Sequence, residues 1–199
     1  MTEKILVKVS TDEEIREEFL ECFSNRAEIV FCDGKISEND LKTATVIVGE
    51  PTENELSLAE NLKLLQLTWA GADKFLKMKN FTQSTTLATA SGAFGEVISE
   101  YVIGGILALY RDFHFYIKNQ QNHIWQKRAT VETITGKTVL ILGTGDIGRT
   151  TAKKLKALGV KEIFGIRRKS KEGFLENFDE IFDIVELETL LPKADIVVC

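Results

Sequence analysis

The segment Gly143-Thr144-Gly145-Asp146-Ile147-Gly148 spells G-x-G-x-x-G between the apolar run TVLIL (138–142) and a Lys-rich helical pattern over 149–158. The motif alone is weak, but a strand directly before it and a helical pattern directly after it are the context of the βα turn of a dinucleotide-binding fold. Gly143 permits the tight turn, Gly145 lets backbone approach a pyrophosphate, and Gly148 lets helix pack on strand. The helix start adds free N–H groups and the positive end of a dipole. An ordinary glycine-rich turn is the plainer alternative, and the flanking strand and helix weigh against it. About twenty residues further on, a site preferring NAD(H) carries Asp or Glu for the ribose 2′-hydroxyl. This chain reads Gly165-Ile166-Arg167-Arg168-Lys169-Ser170 there, three cations and a hydroxyl with no acid. A guanidinium fork suits a 2′-phosphate, so NADP(H) is favoured over NAD(H). A solvated basic loop is the alternative.

The rest of the chain fits an α/β protein. Short β-rich runs at 4–9, 27–31, 44–49, 64–67 and 85–89 alternate with helical stretches at 12–23 and 53–61, the pattern of right-handed βαβ crossovers and a parallel sheet. Beyond the glycine motif come strands at 161–166, near 180–185 and at 194–199, with a short helix at 188–191. Between the two halves, 97–119 reads as one long helix whose only breakers are Gly104 and Gly105. Glycines there cost roughly 1 kcal/mol each relative to Ala, which calls for a closely packed partner, another helix or a second subunit.

Composition narrows the class. The chain is 44% apolar and 28% charged, enough for a sizeable core, and its net charge of −5 argues against non-specific nucleic-acid binding. The longest apolar run, 101–110, is too short to span a bilayer, and the N-terminus MTEKILVKVS has no apolar leader core. Cys22, Cys32 and Cys199 fit no disulfide or zinc spacing, which suggests reduced thiols in the cytoplasm, and no metal site is expected.

Four collinear segments, LKLLQLTWAGADKF (62–75), ATASGAFGEVISEYVIGGILALYRDF (88–113), GKTVLILGTGDIGRTTAKKLKALGV (136–160) and LETLLPKADIVV (187–198), together resemble the D-isomer-specific 2-hydroxyacid dehydrogenases. The resemblance implies a flavodoxin-like substrate domain over 1–96, followed by an incomplete doubly wound Rossmann NAD(P)-binding domain over 97–199. It implies that amides of the loop after the fourth strand hold the substrate carboxylate, a role that falls on Ala70 and Gly71 with Ala72 adjoining. Small residues that expose N–H groups suit an anion, while a plain tight turn is the alternative. Trp69 is expected either as a wall of the substrate pocket or as a core aromatic. Pyrophosphate contacts fall on Gly145, Asp146 and Ile147, with Asp146 acting through its backbone, and the adenosine ribose falls on 167–170. Glu100 is expected to be structural. The long helix lies where such enzymes dimerise, so a homodimer is expected.

In that family an Arg clamps the substrate, a His exchanges the proton and a Glu or Asp tunes it. All three follow the strand on which this chain ends, so no catalytic residue is assigned, and His114 and His123 are expected to be surface or interface residues. Four of six Rossmann strands are counted, and the chain is expected to be the N-terminal portion of a reductase of glyoxylate, hydroxypyruvate or a pyruvate-like acid. Two other readings stand beside it: a nucleotide-binding, corepressor-like interaction protein, and a non-catalytic truncated remnant.

Overall fold

The run Glu3–Lys8 (β1) buries four consecutive residues, Lys4 to Val7, as a strand covered on both faces must. It begins the first of two units, Met1–Ser91 and Gly92–Cys199, in the computed structural model of the chain. The structure describes residues 3–78, 81, 84–128, 130, 132–168 and 174–199.

In the first unit, Glu13–Phe23 (α1) follows β1, with Asp12 accepting the Ile15 N–H as its cap. Ala27–Phe31 (β2), Val46–Gly49 (β3), Leu64–Gln66 (β4) and Thr86–Ala88 (β5) complete a parallel sheet in the order β2-β1-β3-β4-β5. That is the flavodoxin-like doubly wound order. Ile5, Val7 and Ala27 form one buried cluster with Phe19 of α1. Leu6, Ile47 and Leu65 form another with Leu41 of Glu38–Thr43 (α2) and Leu56 of Glu53–Leu58 (α3). A reciprocal capping box of Thr52 and Glu55 starts α3. Helix α2 has no counterpart in the sequence pattern. Its one buried residue, Leu41, is too little to show a 3.6-residue period, and only the Ser37 cap announces it. Asp73–Leu76 (α4) is a single turn.

The second unit opens on two helices, Gly95–Tyr110 (α5) and Phe113–Gln121 (α6), which corrects the single helix expected over 97–119. The break lies at Asp112, whose φ of 53° is left-handed, a conformation Asp tolerates better than most residues. Arg128 holds it there, with Nε and Nη2 3.1 and 3.2 Å from the two carboxylate oxygens. The same guanidinium keeps the Asp112 carboxyl below its ordinary pKa. Because the cation comes 16 residues later, helical periodicity cannot show the break. At Gly104 and Gly105 a Cβ would meet nothing within 4 Å, so of the two partners expected there, a helix among the described residues of this chain does not supply the close packing.

The remaining strands and α-helices among the described residues are Thr138–Leu142 (β6), Asp146–Ala157 (α7), Glu162–Arg167 (β7), Glu180–Asp183 (β8), Leu187–Leu190 (α8) and Ile196–Val198 (β9). The strands run parallel in the order β8-β7-β6-β9, the 3-2-1-4 arrangement of a dinucleotide fold. Val139 and Ile141 of β6, Ala152 and Leu155 of α7 and Ile163 of β7 share one core. Asp179 ties that core together, accepting from the Ile163 amide and from Lys156 Nζ at 2.6 Å each. Partial burial pushes its carboxyl pKa up, but these two partners outweigh burial and the net shift is downward. Among the described residues no helix is long and apolar enough to cross a membrane.

Candidate functional site

The crevice of a doubly wound sheet opens at the carboxyl ends of its strands, beside the first and fourth, here β6 and β9. Directly after β6, Gly143 has φ of 104°, a region that costs glycine almost nothing and other residues strain. Its N–H donates to the Ile166 carbonyl at 2.8 Å, so the turn is pinned to the end of β7. Thr144 is buried, and its carbonyl accepts from Arg149 Nε at 3.1 Å, which closes the loop from the helix side. Gly145 is the N-cap of α7 and supplies no side-chain acceptor. The first-turn amides of Asp146, Ile147 and Gly148 therefore keep the unsatisfied donors of a helix start. A Cβ on Gly145 would meet nothing within 4 Å, so the loop is open in front of those amides. At Gly148 the reverse holds, because a Cβ there would collide with the Gly143 carbonyl oxygen.

The Asp146 carboxylate oxygens lie 2.8 and 2.9 Å from where a Cβ on Gly95 would sit, so the side chain is turned to the start of α5. The backbone role expected of Asp146 is compatible with this placement. Sequence reasoning passed over Gly165: a Cβ there would come within 2.6 Å of Ile181 and Thr144 and 2.8 Å of Phe178. The missing side chain lets Thr144 seat the loop against β7. Arg149 was also passed over, although its place immediately after the motif is a signal that could have found it.

Arg167 is the last residue of β7, and Arg168 follows it, exposed. The turn bond from Gly143 to Ile166 places this basic end beside the glycine loop. Asp183 of β8 is the cross-strand partner of Arg167. Lys169 and Ser170 lie outside the described residues. The loop and strand end fit a phosphate-bearing dinucleotide: a helix start with no side-chain cap, open space before Gly145, and a basic residue at the end of the neighbouring strand.

In the first unit the loop between β4 and α4 carries Ala70 and Gly71, both exposed, and Ala72, the cap residue of α4. The Ala72 carbonyl accepts from Phe75 and Leu76, while the amides of Ala70 and Gly71 have no acceptor among the described residues. Trp69 is 63% exposed, which removes the core-aromatic alternative. Thr68, ahead of it, is held by Glu50, a residue sequence reasoning passed over.

Neither histidine joins these groups. His114 is exposed, with Nε2 4.0 Å from Asp112. His123 lines a groove of about 720 Å³ with Tyr116, Asn119, Ile124 and Trp125, and no predicted site residue borders it.

The model of the D-isomer specific 2-hydroxyacid dehydrogenase NAD binding domain matches residues 103–199. An uncharacterized protein from the proB 3′ region of Corynebacterium melassecola is 30% identical over 165 residues, covering 80% of this chain and 52% of that protein. A glyoxylate reductase of Thermofilum pendens is 28% identical over 149 residues, covering 71% of this chain and 43% of the enzyme. Among solved structures, a D-isomer specific 2-hydroxyacid dehydrogenase family protein from Aeromonas salmonicida superposes with a TM-score of 0.87 at 27% identity. The match takes in 99% of this chain and 63% of that one. The chain thus spans about half the length of the curated relatives it matches, 43–52% for three of them.

Proposed function

The chain belongs to the D-isomer specific 2-hydroxyacid dehydrogenase family, and from that membership we propose that it is the N-terminal portion of a reductase interconverting a small 2-oxo acid and its D-2-hydroxy acid with NADP(H). The observation that carries the cofactor reading is the uncapped start of α7, open in front of Gly145 and flanked by Arg167 and Arg168. The amides of Gly145, Asp146, Ile147 and Gly148 bind the pyrophosphate, and the basic stretch 167–170 binds the 2′-phosphate. The amides of Ala70 and Gly71, with Ala72 turning the chain into α4, hold the substrate carboxylate. Glyoxylate, hydroxypyruvate and pyruvate-like acids fit a seat made of small residues. A dinucleotide held by these residues would supply the hydride that reduces the carbonyl carbon, a proton being taken up at the carbonyl oxygen in the same reaction. The cytoplasm, rich in reduced NADP(H) and free of disulfide chemistry, is the compartment we assign.

Titrating NADPH and NADH into the chain tests the cofactor reading. NADPH should bind more tightly; equal affinity would overturn the NADP(H) preference, and no binding of either would overturn the dinucleotide site.

The same reading includes a homodimer. Val97, Tyr101, Gly105 and Leu109 follow one another at four-residue intervals on α5, and Val97, Tyr101 and Leu109 are 70%, 83% and 69% exposed. An apolar row this exposed marks an association surface, and a glycine in it permits close approach of a second backbone. Tyr101→Glu should convert a dimer to a monomer in sedimentation equilibrium. A monomeric wild-type chain, or a variant that stays dimeric, would remove this part of the reading.

A further inference from the structure

Glu50 immediately follows β3, and its half-buried carboxylate reaches across to the loop after β4. One oxygen, Oε1, accepts from the Thr68 amide at 2.8 Å and from the Thr68 hydroxyl at 2.7 Å. The two residues are 18 apart in sequence and meet because β3 and β4 are neighbours, with Val48 opposite Gln66. Behind Glu50 the main chain is tied down twice. Gly49, with φ of 119°, sits so close to the Lys8 carbonyl that no side chain fits, and Lys8 Nζ donates to the Glu50 carbonyl at 3.3 Å. Lys8 also pairs with Glu55 of α3 at 2.5 Å. The carboxylate is therefore mounted on a rigid frame and grips the residue from which the stretch 69–72 departs. The next anchor along is the Trp69 carbonyl, which accepts from Ala90 at 3.1 Å. Between that anchor and α4 lie the two amides without acceptors.

A carboxylate bonded to Thr68, two residues ahead of a seat for a second carboxylate, opposes binding by simple repulsion. Its engagement with both donors of Thr68 gives it a compensating task. We propose that Glu50 is a positioning residue for the Ala70–Gly71 seat: acting through Thr68, it sets the direction of those amides and hence the affinity for a small carboxylate. The proposal rests on the reading of 70–72 as the substrate-carboxylate seat.

Oxalate, a planar two-carbon dianion, is a suitable probe, titrated into the 199-residue chain while the amide signals of Thr68, Ala70 and Gly71 are followed by NMR. Glu50→Ala should weaken oxalate binding about tenfold or more, the loss expected when a charged acceptor leaves two donors unpaired. Glu50→Gln retains an oxygen acceptor and should stay within about threefold of wild type. Thr68→Val, which removes one bond and keeps the amide, should fall between them and serves if Glu50→Ala does not fold. A purely structural role would lower the melting temperature of the variants and leave oxalate affinity the same in all that fold. Equal affinity in wild type and Glu50→Ala, or in wild type and Thr68→Val, overturns the proposal. So does a loss in Glu50→Gln as large as in Glu50→Ala. If oxalate moves neither Ala70 nor Gly71 in the wild-type chain, the seat itself falls and the proposal with it.

Discussion

Replacing Gly148 with alanine should destabilise the C-terminal unit by about 3 kcal/mol and abolish NADPH binding. The added methyl would collide with the carbonyl oxygen of Gly143. That obstacle is main chain, so no rotamer change relieves it. Relief requires α7 to move away from β6, and the same movement would draw Arg149 off the Thr144 carbonyl and misalign the first-turn amides. The core residues Ala152 and Leu155 lie on α7, so packing is lost together with the site. Gly145→Ala is the instructive contrast. Its Cβ meets open space, so stability should fall by no more than about 1 kcal/mol, the cost of a poorer N-cap. The methyl would nevertheless stand where a pyrophosphate approaches, and NADPH affinity should fall sharply. Urea denaturation followed by circular dichroism, with NADPH titration of each variant, distinguishes the two. A Gly148→Ala midpoint equal to wild type would contradict the steric account.

The double substitution Arg167→Ala/Arg168→Ala should weaken NADPH binding by roughly 10- to 100-fold, the range expected for lost hydrogen bonds to a charged group. NADH affinity should change little, because the nicotinamide and pyrophosphate contacts lie elsewhere. Between the two single variants, Arg168→Ala should be the more damaging. Arg167 is only partly exposed and lies within β7, opposite Asp183 in the strand register, whereas Arg168 is exposed beyond the strand end and free to follow a phosphate. Direct titration of each variant with both nucleotides reads the difference. Undiminished NADPH affinity in the double variant would identify this stretch as a solvated loop, the alternative present from the outset.

Much of this architecture is legible in residue order. The nine strands among the described residues fall on the β-rich runs that announce them, because strand formation follows local β-propensity and burial on two faces. The strand–glycine–helix succession around 138–157 is equally local: a turn needing left-handed backbone selects Gly143, and a helix start selects a small cap. The start of α7 at Asp146, three residues before the Lys-rich pattern, shows where such reasoning shortens an element. Periodicity registers an apolar face, and the first turn over the phosphate loop has none.

What the sequence by itself determined is the α/β class, the position of the phosphate loop and the basic character of the strand end beside it. Each depends on interactions within a few residues of one another. Only the tertiary structure decided that Arg128 holds Asp112 where the helix breaks, that Gly165 makes room for Thr144, and that Glu50 grips Thr68. These contacts join residues 16 to 21 apart, and the distances between them depend on strand order and on where loops return. Local propensity carries no record of that order. It follows from the joint burial of both faces of a sheet, which no single segment encodes.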